Sequence, residues 1–493
     1  MLLQEISAAP GAQGIGALPP EVLAHVFAIG SQENDEDDGY VENISDDDDT
    51  DSSLVQQAHF ATLCSHVCQY WRSVALSTPQ LWSNLEFEGA QTFEKYMEWI
   101  ARSKGAPLTI QIDLTADATP EFQADRFDTE DDEDLKRQIV VHHQTHKSDT
   151  ILEMILPHVH QWKTFELVVD YYELIWVFQT ALTRLESAPI LEHLGFFCHE
   201  DWIDEDQFSP QSLRNPISLF QGGTPKIRSV CLWGVHFQWE TATYLAGLAC
   251  LQLAWHTKDV RLSCEQFAQT LTLSPKLEVL ILEGSAPLPG TWPEERIPLH
   301  FLRALSIAYI DVSDAISVVQ HIDFPALKNL TLDLEAESVK EFIHAVCARN
   351  KPRFGSVESL KLTSFQCLQA DGILFLSNMP NVVSLTLNFN YLPGHFRKSL
   401  ASNSPSLCPK LHTLKLSGLD AKDLKSLIKG RQKSSTRIQS LYLDQDDAYS
   451  EDTIRWLKRE VETVLFYEAS DDSDGELGEE DEVDSGEEES EDE

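Results

Sequence analysis

The chain has 493 residues, 42% of them hydrophobic, and a formal net charge of −43. Such a length and apolar content can bury a sizeable core in about two to four domains, while the acidic balance argues against direct binding to DNA or RNA, which needs a basic face. No apolar run reaches the ~18 residues of a membrane span, and the N-terminus lacks the basic start and apolar stretch of a secretory signal. The nine cysteines are scattered without a C-x-x-C. Reduced thiols in a cytoplasmic and/or nuclear protein are therefore expected.

Most of the excess charge sits in three patches. Glu33 to Asp51 holds 11 acids, Asp125 to Asp134 holds 7 beside Arg126, and Ser470 to Glu493 holds 15. Together they carry −32, which leaves −11 for the remaining chain. Acid runs of this length repel themselves and offer little apolar surface to bury, so disordered segments are expected at 31–57, 117–149 and 468–493.

The first element is a short helix opened by Pro19 and Pro20, because proline's missing N–H costs nothing in a first turn. Val22, Leu23, Val26 and Phe27 supply its apolar side. A second helical stretch, from about Ala58 to Leu76, carries Phe60, Leu63, Val67, Trp71 and Val74. Thr78-Pro79 stops it, and Leu81-Trp82 starts the next element. So short a segment cannot bury all of these side chains against itself, which leaves some apolar surface for a partner. The same stripes would also suit an N-terminal cap on the array that follows.

The residue types go further than the periodicity. Leu18, Pro19, Glu21, Val22, Leu23, Val26 and Phe27, then Val67, Cys68, Trp71, Arg72, Val74 and Ala75, then Pro79, Leu81 and Trp82 follow an order that resembles the F-box, as found in F-box proteins of the fungal type. The resemblance covers about residues 17–85. It implies docking onto the Skp1 adaptor of a cullin ligase core. Carried over position by position, the Skp1-binding set would be Leu18, Pro19, Val22, Leu23, Val26, Phe27, Leu63, Val67, Cys68, Trp71, Arg72, Val74, Leu81 and Trp82. The acidic stretch from Ser31 to Gln57 departs from the family's short loop. Loop closure entropy grows slowly with length, so this insertion need not unfold the module, but it brings negative charge near the adaptor surface.

Residues 86–150 read as a linker with first strand and helix elements. From about 151 to 467 a short signature recurs, an apolar residue followed by x-x-L-x-L. Successive copies start at Leu277, Leu302, Leu327, Val357, Val382, Leu411 and Ile438, spaced 25, 25, 30, 25, 29 and 27 residues. Further copies start at Leu191 and Ile227, and poorer ones at Trp162 and Leu248. The spacing falls in or just beyond the leucine-rich-repeat range, the L-x-L gives a two-residue strand period, and segments such as Ser338 to Ala348 read as helical. The expected fold is thus an α+β / α/β solenoid, a helical F-box followed by an irregular leucine-rich-repeat horseshoe; a conventional α/β domain is the other architecture the pattern permits.

In such a repeat the leucines point inward and the residue between them faces the open surface. That row would run Glu166, Gly195, Cys231, Gln252, Ile281, Ser306, Thr331, Lys361, Thr386, Lys415 and Tyr442. Candidate contacts to a protein substrate are Trp233, Gln252, Ile281, Thr331, Lys361, Thr386, Lys415 and Tyr442, because aromatic anchors among small polar groups suit protein recognition. The same composition also fits an ordinary exposed strand face.

Catalytic signatures are missing. There is no G-x-x-x-x-G-K-[ST], H-E-x-x-H or G-x-S-x-G. His142, His143 and His146 have metal-like spacing but no cysteine beside them, so a solvated polar segment is the expectation, with no metal and no cofactor. Ser45, Ser473, Ser485 and Ser490 each precede an acid by three positions, the pattern of an acidophilic kinase site. The expected protein is a non-catalytic substrate-recruiting subunit of an SCF-type ubiquitin ligase. A repeat scaffold that never enters a ligase is the alternative. The acidic tail could also attract a basic partner such as a histone.

Overall fold

The computed structural model describes residues 15, 18–31, 60–88, 93–115, 130–200, 206–220, 223–241, 245–347, 353–402, 407–432 and 437–467, and among residues 130–136 the backbone alone. Three helices come first: α1 (Pro20–Gly30), α2 (Phe60–Val67) and α3 (Gln69–Ser77), closed by a 3-10 turn at Pro79–Trp82. The helix expected from Ala58 to Leu76 is interrupted. Cys68 takes extended backbone angles, and its thiol accepts the Trp71 N–H at 3.4 Å, so it caps a new helix instead of packing inside a continuous one.

Strand β1 (Asn84–Phe87) follows the 3-10 turn at once and is the edge of a 14-stranded sheet. The remaining strands are β2 (Leu108–Leu114), β3 (Trp162–Val169), β4 (His193–Cys198), β5 (Ser229–Trp233), β6 (Cys250–Ala254), β7 (Val279–Glu283), β8 (Ala304–Ala308), β9 (Asn329–Leu334), β10 (Ser359–Phe365), β11 (Ser384–Asn388), β12 (Thr413–Ser417), β13 (Ser440–Asp444) and β14 (Thr463–Tyr467). They lie side by side in chain order, and every pairing is parallel. All eleven x-x-L-x-L copies are strands. The sheet nevertheless starts well before residue 151, because β1 and β2 belong to it, and β14 extends it past the last copy.

A parallel neighbour requires a crossover, and the crossovers are helical where the chain is long enough. Helices α4 (Phe93–Ser103), α5 (Glu130–Ile155) and α6 (Tyr172–Leu182) serve the first turns of the array. One further helix, Cys264–Leu273, lies between β6 and β7, and β7 to β8 carries the short strand Ile297–Pro298 in place of one. From β8 onward each crossover is a helix, and those at Val312–His321, Lys340–Cys347, Gln369–Ser377, His395–Ala401, Ala421–Gln432 and Glu451–Glu460 each pack against the next. The fold is mixed α/β with one long parallel sheet.

The expected disordered loop at 117–149 is corrected over its second half. Residues 130–155 form one helix, which buries Val140, Gln144, Ser148, Ile151, Leu152 and Ile155 on the spacing of a single helical face. Gln144 donates to the Leu114 carbonyl at the end of β2. Arg137 bridges Glu173 at 2.9 Å and Glu200 at 2.6 Å, tying the helix to the first turn of α6 and to the residues just after β4. His142, His143 and His146 lie on this helix, not in a loop. The expected disordered stretches at 32–57 and 468–493, and with them Ser45, Ser473, Ser485 and Ser490, lie outside the described residues.

One apolar cluster runs from Leu23 in α1 to Val461 before β14. At the junction between helices and sheet, Trp82 meets Trp99 edge-on at 6.0 Å, Arg102 lies 4.5 Å over the Trp82 ring, and Phe87 contacts Tyr96 at 4.2 Å. The N-terminal helices and the sheet share a core, so the module is held rigidly at the sheet's first edge.

Candidate docking surface

Helix α1 divides its apolar residues between two sides. Leu23 and Phe27, four apart, are buried, and Phe27 meets Trp71 of α3 at 4.9 Å. Val22 (46% exposed), Val26 (40%) and Ile29 (43%) follow i, i+4, i+7 spacing along the outer side. Helix α2 repeats the division: Ala61, Cys64 and Ser65 point inward, while Leu63 (52%) and Val67 (60%) are exposed and four apart. Two neighbouring helices therefore each present an apolar stripe to solvent. Pro19, Cys68 and Arg72 are also exposed, whereas Leu18 and Trp71 are partly covered.

Burial corrects part of the expected Skp1-binding set. Leu23, Phe27, Val74, Leu81 and Trp82 are all at most 1% exposed and form the module's own core, so none is available to a partner. The physical reason is the pair of stripes on α1. Adjacent apolar residues such as Val22 and Leu23 point about 100° apart, and only the packing of α2 and α3 decides which side is covered. Ile29 joins the outer stripe although it lies beyond the positions that carry the F-box resemblance. Its place seven residues after Val22 was the available signal.

Polar contacts lock the core in place. The Trp82 indole N–H donates to the Ala75 carbonyl at 2.9 Å, and the Thr78 hydroxyl donates to the Val74 carbonyl at 2.8 Å. The Tyr70 hydroxyl donates to the Leu18 carbonyl at 2.6 Å, fastening α3 to the segment before α1. Burial, aided by the Glu21 carboxylate, pushes the Tyr70 phenol up, so it remains a donor. A Cβ on Gly30 would lie 2.7 Å from the Phe60 ring, so the end of α1 packs closely on the start of α2.

The open face of the sheet is the second candidate surface. The expected row is in register across the strands, from Gln111 and Glu166 through Ser306, Thr331, Lys361, Thr386 and Lys415 to Tyr442 and Leu465. Thr331, Lys361, Thr386, Lys415, Tyr442 and Trp233 are half-buried, the exposure of a strand face flanked by neighbours. Gln252 (2%) and Ile281 (8%) are corrected out of the contact set, since each is covered by its flanking strands. The Lys415 ammonium lies 4.0 Å over the Tyr467 ring, so that end of the face pairs a cation with an aromatic group. Glu166 holds His193 at 2.8 Å; burial lifts its carboxyl, but the hydrogen bond and charge of His193 together with the hydrogen bond from Gln111 outweigh this and lower it on balance.

Among the described residues, no helix is long and apolar enough to cross a membrane. Among curated proteins, none matches the chain. Residues 15–88 match the family model described as F-box-like, a span that ends one residue beyond β1. The three helices, the capped break at Cys68 and the tryptophan-locked turn are thus an F-box-like domain, and the chain passes from it into the long parallel sheet without a linker.

Proposed function

We propose that this chain is the substrate-recruiting subunit of an SCF-type ubiquitin ligase. The F-box-like domain docks on the Skp1 adaptor, and thereby on the cullin ligase core, through Val22, Val26, Ile29, Leu63 and Val67. The sheet is a leucine-rich-repeat horseshoe whose open face holds a protein substrate. The chain performs no chemistry itself; it holds the substrate within reach of a conjugating enzyme, where proximity supplies much of the rate.

The observation that carries this reading is the outward apolar stripe on α1 and α2 within residues matched as F-box-like. A monomer gains nothing from five half-exposed aliphatic side chains on adjacent helices, whereas a partner covering them gains the free energy of their burial. The shared core supports the same reading, because a receptor must hold its substrate at a fixed distance from the adaptor.

Co-purification of the full chain with Skp1 tests the proposal. Wild type is expected to retain Skp1, and Leu63→Asp to lose it without unfolding. Failure of the wild type to bind Skp1, with or without residues 32–57, would leave a scaffold that presents its sheet face outside any ligase.

A further inference from the structure

At the C-terminal ends of β5 to β8 the chain turns four times through left-handed backbone, at Gly234 (φ 65°), Trp255 (φ 51°), Gly284 (φ 54°) and Tyr309 (φ 53°). These positions are equivalent. Each follows its strand directly, and each N–H donates to a carbonyl at the end of the next strand, those of Ala254, Glu283, Ala308 and Asp333, at 2.8 to 2.9 Å. Glycine is the ordinary occupant of such a turn, because a Cβ is crowded there. Two of the four turns instead carry a large aromatic residue, a choice that backbone energetics oppose.

The rings make one surface. Trp255 lies 6.1 Å from Trp233 and 5.1 Å from Tyr309, and His199 stacks on Trp233 at 5.8 Å. The intervening glycine makes room: a Cβ at Gly284 would stand 3.0 Å from the Trp255 ring. All four rings are partly open to solvent, Trp255 the most at 36%. Strain kept for an exposed aromatic row points to a binding surface rather than to folding.

The charge beside the row has one sign. The adjacent sheet register, from Asp113 through Trp233 to Asp333, contains Glu283 between Ala254 and Ala308 and holds no lysine or arginine. Two bases in the loop after Trp255 are engaged. Lys258 pairs with Asp206 at 2.7 Å, and the Arg261 Nε donates to the His256 carbonyl at 2.8 Å. Burial holds His199 below the usual imidazole range, which keeps the row itself uncharged near neutral pH.

We propose that Trp233, Trp255 and Tyr309 form an aromatic platform that receives an arginine- or lysine-bearing segment of a protein substrate, with the cation over the rings and toward Glu283. A guanidinium or ammonium is attracted to indole and phenol faces and to nearby carboxylates at once. A chain of charge −43 also draws a basic partner from a distance. This assignment rests on the reading of the sheet as the substrate-holding face and names the chemistry that face selects.

The strained turns make the test clean, because Trp255→Gly and Tyr309→Gly remove the rings while giving each turn its preferred residue. The full-length chain and the double variant are titrated into a fluorescein-labelled peptide of alternating arginine and serine. Anisotropy is read at about 0.3 M salt, where exposed charges more than ~6 Å apart are largely screened. Wild type is expected to bind, and the double variant to bind about tenfold or more weakly, with melting temperature unchanged or higher. A glutamine-for-arginine peptide and a proline-rich peptide are expected to bind far less. Equal binding by the variant, equal binding of either control peptide, or no arginine-dependent binding by wild type overturns the proposal. Skp1 co-purification by the same variant is read in parallel: loss of peptide with Skp1 retained supports the platform, and absence of Skp1 from wild type counts against the ligase reading alone.

Discussion

Val26 and Phe27 are chain neighbours on α1, yet the structure gives them opposite duties, so their substitution should have opposite effects. The exposed part of Val26 is about 60 Å², worth about 1.5 kcal/mol when covered by a partner. An aspartate there forfeits that gain and also places a carboxylate in an apolar contact, at a further cost of several kcal/mol. A total of at least ~3 kcal/mol makes Val26→Asp bind Skp1 more than about a hundredfold more weakly. The fold should hardly change, since exposed substitutions stay within about 0.5 kcal/mol. Phe27→Ala removes a fully buried ring from its contact with Trp71 and should cost about 3–5 kcal/mol of stability. Isothermal titration with purified Skp1 reads the first effect, and thermal unfolding followed by circular dichroism reads the second. Wild-type affinity for a folded Val26→Asp would refute the docking stripe. A fall in Tm for Val26→Asp as large as that for Phe27→Ala would refute the division between outer and inner residues.

Gly30→Val should destabilise the F-box-like domain by about 1–3 kcal/mol through its clash with Phe60, with Phe60→Ala restoring part of the loss in a urea melt; undiminished stability of the single variant would show that Gly30 and Phe60 do not pack closely. In the array, Leu414→Ala is expected to cost about 2–5 kcal/mol, because the side chain is fully buried, while Thr386→Ala on the open face should stay within about 0.5 kcal/mol; comparable urea midpoints for the two would contradict the assigned faces. Burial lowers His236 to about 4 and His256 to about 3. Both are therefore neutral in the fold while the unfolded chain takes up protons, so stability is full above about pH 6.5 and falls as pH drops toward those values, by up to about 1.4 kcal/mol per unit for each histidine. The His256 Nε2–H donates to the Val235 carbonyl at 2.8 Å, so Nδ1 accepts from Ser285 at 2.9 Å, and protonation breaks that second bond. His256→Gln should flatten the loss of stability between pH 6.5 and 4.5; an unchanged slope in pH-dependent denaturation would rule out the buried imidazole as its source.

Much of the architecture was legible because strands announce themselves by a two-residue period. Each L-x-L copy from Trp162 to Ile438 became a strand, and the residue between the leucines fell into one register row. Strands β1, β2 and β14 lacked that signature. Leu108–Leu114 does alternate apolar and polar residues, a signal that its distance from the repeats concealed. Helix α5 went unread because its charged first turns resemble a solvated loop, while its inward stripe of Val140, Gln144, Ser148 and Ile151 is half polar, with Gln144 bonded to the Leu114 carbonyl and Ser148 to the Gln144 carbonyl of its own helix. Composition and motif order were enough to determine the repeat spacing, the helical character of the entry module and the acidic segments. Tertiary structure alone decided which of two adjacent stripes on α1 faces outward, that the module shares the sheet's core, and that Trp255 and Tyr309 occupy glycine's turn. Local sequence sets which residues are apolar; only the neighbours brought together by folding set which of them remain uncovered.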